Sequence, residues 1–318
     1  MTSVRHVYMV LSPRSLGYAR YAIESLFRNS VEQIHLRLIT DSAQDRQELR
    51  SAVAELNTGC HQCTVYSEDD LADLEENIFG QRSNLRAFRH GHPCWRKITD
   101  PLLLSEPEAE LVLLDPDLYF PNRFLFEETP ATGLLLMWQR PNCLLPPEVV
   151  KEAMNIGIPL AHHVDIGVAH WRASADLDWL EWLLGKLGGP ALPRLMHIEA
   201  IVWAAIAMRY GGGHLDPMYW RCWHRTQAKR VMRKIGVSGL HILRPEPWTE
   251  MKCFHAGGEA KSWLAEARKS GLLDGNSEQI RPGRVIAFVE LTPALYAREL
   301  AFKRMLRALG YYRIFRQA

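Results

Sequence analysis

A chain of 318 residues can hold one large α/β domain with additions, or two modest domains. Hydrophobic residues make up 47% and charged residues 23%, the balance of an ordinary soluble globular protein, and the net charge of +2 gives no reason to expect a nucleic-acid partner. The longest apolar run, residues 200–208, is too short to span a bilayer, and "MTSVRHVYMVLSPR" lacks the build of a targeting signal, so the expectation is a cytoplasmic protein.

In chain order, residues 6–12 read as a short buried strand, and residues 14–29 carry apolar side chains at helical spacing. Residues 33–41 alternate apolar and polar, a second strand ending on Asp41. Ser42 then offers an N-cap for a helix. "CHQC", Cys60 to Cys63, precedes a third strand. Without a second pair at a zinc-ribbon distance, Cys60 and Cys63 read as reduced thiols rather than a metal or redox site. Pro93 opens a helix over residues 93–104. "LVLLD" is a fourth strand, ending on Asp115.

The second half is more mixed. Residues 132–140 and 162–172 read as strands. Residues 176–189 and 197–213 read as helices closing on glycines. Trp171, Trp179, Trp182 and Trp203 fall on these amphipathic segments and are expected in the core. In "MYWRCWHR" (residues 218–225), Tyr219, Trp220 and Trp223 are interleaved with arginines outside a helical pattern; they suit either an acceptor site or packing beneath the final helix. Residues 292–318 read as one basic amphipathic helix, with Arg298, Lys303, Arg304, Arg307, Arg313 and Arg316 against Glu290 and Glu299. Such a helix can lie on an anionic membrane, or pack on the domain with a solvated basic face. Strands alternating with helices predict an α/β fold with a mostly parallel, Rossmann-like sheet flanked by helices. Ligands of such sheets bind beyond the carboxyl ends of the strands, where Asp41 and Asp115 sit.

Two clusters carry chemistry. Asp115 and Asp117 stand one residue apart at the end of an apolar strand, so in an extended backbone both point to one side. Two such carboxylates repel unless a cation or proton intervenes, and Mg²⁺ or Mn²⁺ with phosphate oxygens suits them. Asp-Pro-Asp is also good turn chemistry. The second cluster is "FHAGGEAKSW". His255 can be a metal ligand, Gly258 lets backbone amides approach a phosphate, and Lys261 can neutralise a diphosphate.

Together these clusters resemble glycosyltransferases of the GT-A fold, most closely the family-8-like group of glycogenin and bacterial galactosyltransferases. That family has aspartate–x–aspartate after an apolar strand and, much later, histidine–x–x–glycine–x–x–lysine–proline–tryptophan. Here the second motif reads His255, Gly258, Lys261, Ser262, Trp263, with serine in place of proline. The resemblance implies a GT-A domain over residues 1–263, with a donor-binding half to residue 122, an acceptor and metal half from 123, and a helical extension over 264–318. It implies that Asp115, Asp117 and His255 hold a divalent metal (Mn²⁺ or Mg²⁺) on the diphosphate of a nucleotide-sugar donor, a UDP-sugar by the same resemblance, contacted by Lys261 and Gly258. Ser12 and Arg14 fall in the first loop, where the family binds base and ribose, and Asp41 ends the second strand. Arg96 or Lys97 fills the place of a basic residue near the donor. Asp165 replaces an asparagine that touches donor or acceptor sugar, and Glu199 falls near a glutamine by the reacting face. Both become candidate catalytic carboxylates. The implied activity is that of a hexosyltransferase moving a sugar to the hydroxyl of a glycan, lipid-linked or small-molecule acceptor with retention, cytoplasmic or peripheral at the inner membrane face through its C-terminal helix. The rival readings are a metal-dependent nucleotidyltransferase, which "SPRSLGY" matches poorly as a phosphate loop, and a sugar-nucleotide or glycan-binding module without catalysis.

Overall fold

A computed structural model describes residues 4–173, 175–224, 226–275 and 279–315. Arg225 and Arg316, counted among the basic residues above, lie outside the described residues. The first half runs β1 (Arg5–Val10), α1 (Leu16–Asn29), β2 (Ile34–Ile39), α2 (Ala43–Ala54), β3 (Gln62–Tyr66), α3 (Ala72–Phe79), α4 (Ser83–Arg89), α5 (Arg96–Leu103), β4 (Glu110–Leu114) and β5 (Leu118–Tyr119). It continues with β6 (Leu134–Trp138), α6 (Pro147–Asn155), β7 (Val164–Arg172), α7 (Leu177–Leu187), α8 (Ile198–Tyr210), β8 (Gly212–His214) and β9 (Trp220–Cys222). The last elements are α9 (Gln227–Lys234), α10 (Gly239–Leu243), β10 (Cys253–His255), α11 (Leu264–Lys269), β11 (Ile286–Ala287), α12 (Pro293–Ala308) and α13 (Tyr311–Ile314).

The main sheet has the order β11-β8-β6-β7-β4-β1-β2-β3. From β3 to β4 it is parallel, as the alternating strands and helices predict. Beyond β4 the expectation of a mostly parallel sheet is corrected. β7 runs antiparallel to both β4 and β6, and β11 runs antiparallel to β8, so the sheet is mixed. Trp138, the last residue of β6, pairs with Val164, the first of β7. The connection through α6 therefore leaves and re-enters at one end of the sheet instead of crossing its face, and only a crossover gives parallel neighbours. This reversal sets the start of β7 beside the carboxyl ends of β4 and β6.

Buried apolar side chains cover both faces of the sheet. One cluster joins Tyr8, Leu113, Leu136, Trp171 and Trp203 to the α4–α8 side; the other joins Val7, Leu36, Val112, Leu135 and Val168 to α1 and α2. Trp171 and Trp203 meet edge to face as expected of core residues, but Trp182 is 46% exposed, because the outer stripe of α7 faces solvent. Trp220 and Trp223 are buried, Trp220 among Phe124, Phe126 and His170. The segment from residue 264, expected as an appendage, is built into this body. Leu264, Ala267 and Leu273 complete a third cluster with Trp248 and Phe254, β11 extends the sheet, and Leu291 and Tyr296 are buried in the main core. The expected single final helix is broken at Gly310, whose left-handed φ of 71° separates α12 from α13.

Candidate active site

A second, three-stranded sheet assembles the site. β10 lies between β5 and β9, with His255 opposite Leu118 on one side and Cys222 on the other. Leu118 directly follows Asp117, and the amide of Ala256 donates to the Asp117 carbonyl at 2.9 Å. The main sheet supplies the rest: the Asp115 amide donates to the Gly167 carbonyl at 2.8 Å, which brings Asp165 of β7 to the same end. The side chains converge accordingly. His255 Nε2 lies 3.2 Å from Asp117 Oδ1 and 3.8 Å from Asp115 Oδ2, and His255 Nδ1 lies 2.9 Å from Asp165 Oδ1.

Lysine arrives from a third direction. Lys97 Nζ lies 2.6 Å from Asp115 Oδ1 and 3.1 Å from Glu199 Oε1, in the first turn of α8. Its neighbour Arg96 points elsewhere, to Asp41 at 2.7 Å and to Asp100 at 2.8 Å, and Asp100 also takes Arg89 at 2.8 Å. Asp100, fully buried between Arg89 and Arg96, fixes the turn of α5 that aims Lys97. Of the two residues left open by the sequence, Lys97 is the one against Asp115. Lys261 Nζ is half-exposed, 3.7 Å from Asp117 Oδ2 and 5.0 Å above the Tyr18 ring.

The remaining expected residues spread around this centre. Ser12 caps a short turn by accepting from the Arg14 amide at 3.3 Å, and Arg14 is exposed. Asp41 is exposed apart from its bond to Arg96. Gly258 turns the chain after His255 with φ of 64°, in open space. Cys60 is exposed, and burial pushes the Cys63 thiol up to about 12. Two groups missed by sequence reading now appear. Cys222 Sγ lies 3.3 Å from Asp165 Oδ2, and Gly167 has so little room that a Cβ there would sit 2.6 Å from His255 Nδ1. Both depend on strand pairings, which residue patterns do not specify.

Among the described residues, the groups able to share one cation are Asp115–Asp117–His255 and Asp165–Cys222–His255. The first has the oxygen-rich donor set of Mg²⁺ or Mn²⁺. Burial raises Asp115 above the usual carboxylate range, although Lys97 opposes it, and Asp117 adds to the rise. Burial likewise pushes Glu199 up to about 8 against the pull of Lys97. Burial would lower His255, but the carboxylates of Asp165 and Asp117 outweigh it and hold the imidazole well above its ordinary value. Asp117 falls to about 2, because His255 overcomes the cost of burial. His255 stands between the three carboxylates, with Nε2 toward Asp115 and Asp117 and Nδ1 toward Asp165.

No protein-family model matches the chain, and no curated protein matches it in sequence. Among solved structures it is similar to mouse xyloside xylosyltransferase 1 in its apo form, with a TM-score of 0.50 and 16% identity, covering 81% of this chain and 99% of that one. At that identity the likeness is one of fold, and it does not support the narrower likeness to the glycogenin and bacterial galactosyltransferase family. What the chain shares with that xylosyltransferase is a mixed α/β fold built on a large central sheet flanked by helices.

Proposed function

We propose that the protein is a metal-dependent glycosyltransferase that moves a sugar from a nucleoside-diphosphate sugar, with UDP as the preferred nucleotide, to an acceptor hydroxyl. The observation that carries this reading is the convergence of Asp115, Asp117 and His255, from two sheets, with Lys97 and Lys261 beside them. Asp115, Asp117 and His255 would hold Mn²⁺ or Mg²⁺, which when bound supplies a Lewis acid for the leaving diphosphate. Lys261, the most open of these cations, is positioned to meet the diphosphate charge that grows as the glycosidic bond breaks. Lys97 balances Asp115 and Glu199 in the buried floor. Gly258 gives the backbone room at the same turn. Ser12, Arg14 and Asp41 border the donor side at the ends of β1 and β2.

Neither candidate carboxylate stands free as a general base. Asp165 accepts from His255 Nδ1 and from the Gly167 amide, each at 2.9 Å. Glu199 Oε1 accepts from Lys97 Nζ at 3.1 Å in the buried floor. Both facts favour retention, in which a dedicated base is not needed, and recast Asp165 as the residue that orients the His255 ring.

The test is a thermal-shift panel of UDP-glucose, UDP-galactose and UDP-xylose with Mn²⁺. Stabilisation by a donor only in the presence of Mn²⁺ is expected, and is lost in Asp117→Ala and His255→Ala. Asp165→Asn should weaken Mn²⁺ binding by calorimetry about tenfold while circular dichroism is unchanged. No stabilisation by any donor sinks the reading, and sugar-phosphate plus nucleoside-triphosphate turnover would favour a nucleotidyltransferase instead.

A further inference from the structure

Two adjoining cavities open between the end of β6, the start of α9 and α12. One, of about 570 Å³, is lined by Trp138, Arg230 and Tyr311; the other is about 620 Å³; Arg140, Phe302 and Lys303 line both. The lining is strongly one-sided in charge. Arg140, Arg230, Arg298 and Lys303 face a single carboxylate, Glu299, which already binds His162 Nε2 at 2.8 Å. Arg230 donates from Nη1 to the Tyr311 hydroxyl at 2.9 Å, while its Nε is buried with no hydrogen-bond partner among the described residues. Thr226, which caps α9, and Gln227 form part of the wall, so the positive end of that helix opens on the same space.

The chain segment lining this space, residues 138–140, also touches the cluster around His255. Trp138 pairs with Val164, the residue before Asp165. His224 in the wall lies two residues after Cys222, which pairs with His255, and donates from Nδ1 to the Arg140 carbonyl at 2.8 Å. Gln139, between Trp138 and Arg140, brings its Oε1 within 3.6 Å of Cys222 Sγ, which in turn lies 3.3 Å from Asp165 Oδ2, so the segment that lines the cavity also reaches the cluster. We infer that this cavity holds the acceptor, and that the acceptor is a sugar bearing a phosphate or carboxylate group. The inference rests on the glycosyltransferase reading. Trp138, Phe302 and Tyr311 offer ring faces suited to a sugar, and among the described lining residues Glu299 is the one carboxylate set against the four cations. The cavities fall in the volume range of small-ligand sites, roughly 300–1,000 Å³.

The full chain is titrated by calorimetry with glucose 6-phosphate, glucuronate and glucose. At least one charged sugar is expected to bind about tenfold or more tightly than glucose, a gap of about 1.4 kcal/mol. Phosphate and carboxylate are distinguished by which charged probe binds better. The preference should survive Asp117→Asn, which leaves the cavity intact, and disappear in the double variant Arg140→Gln, Lys303→Gln. A difference below twofold between charged and neutral sugars overturns the inference, as does a preference that vanishes in Asp117→Asn but persists in the double variant. The thermal shift by UDP-sugar with Mn²⁺ is read in parallel on the double variant and should be unchanged. Failure of that shift in the wild-type protein would count against the glycosyltransferase reading, whereas loss of charge preference with the shift intact counts only against the acceptor class.

Discussion

His255 illustrates how two side-chain nitrogens divide their work: Nδ1 faces Asp165, and Nε2 faces Asp115 and Asp117. That Asp115, Asp117 and His255 come together was an expectation from the sequence, but the contact of Asp165 with His255 was not, because Asp165 reaches His255 only through the pairing of β7 and β9–β10 with their neighbours. A second histidine gives a stability prediction. Burial first, and the Arg5 charge second, push His170 down to about 3, in a cage formed by Phe126 and Trp220. Its native form stays neutral where the unfolded chain takes a proton, so its contribution is present above about 6.5 and is lost as pH falls from there toward 3. Between pH 7 and pH 5 this amounts to up to about 2 kcal/mol. In urea denaturation His170→Phe should lose correspondingly less stability across that interval, and equal losses in both proteins would refute the assignment.

At the scale of elements, β7 is the strand on which the site turns. It is wedged antiparallel between β4 and β6, and Gly167 is the only residue type that leaves room for the His255 ring. A Cβ at Gly167 would come within 2.6 Å of His255 Nδ1 and 2.9 Å of Asp165 Oδ1. Gly167→Ala should therefore weaken Mn²⁺ binding at least about tenfold, the scale of losing a ligand's outer support. Gly17→Ala, which meets nothing within 4 Å, is the matched control and should bind normally. The strand itself was readable from "HHVDIGVAHWR". Its direction was not, since apolar periodicity is the same for parallel and antiparallel partners. Ser42 as the cap of α2, accepting from the Asp45 amide at 3.1 Å, was readable because capping is decided within four residues.

For the molecule as a whole, the question is whether residues 1–263 stand alone. Leu264, Ala267, Leu273, Leu291 and Tyr296 are all buried, and the Leu291 amide donates to the Leu160 carbonyl at 2.8 Å. A chain ending at Trp263 would uncover the apolar surfaces these residues meet, each large side chain costing about 2 kcal/mol or more. It is expected to be insoluble or to lack a cooperative melt, and a truncated protein melting within a few degrees of the full chain would show the extension to be dispensable. No helix among the described residues is long and apolar enough to cross a membrane.

What the sequence by itself determined is local: the strand ending on Asp115 and Asp117, the turn carrying His255, Gly258 and Lys261, and the alternating first half. Short-range spacing decides those features, because one strand or one turn is enough to set their geometry. Only the tertiary structure decided that Lys97 and not Arg96 meets Asp115, that Asp165 holds His255, that the sheet reverses at β7, and that residues beyond 263 belong to the core. Those outcomes depend on which distant segments pair and how their side chains share a buried space, and no spacing along one stretch of chain encodes that choice.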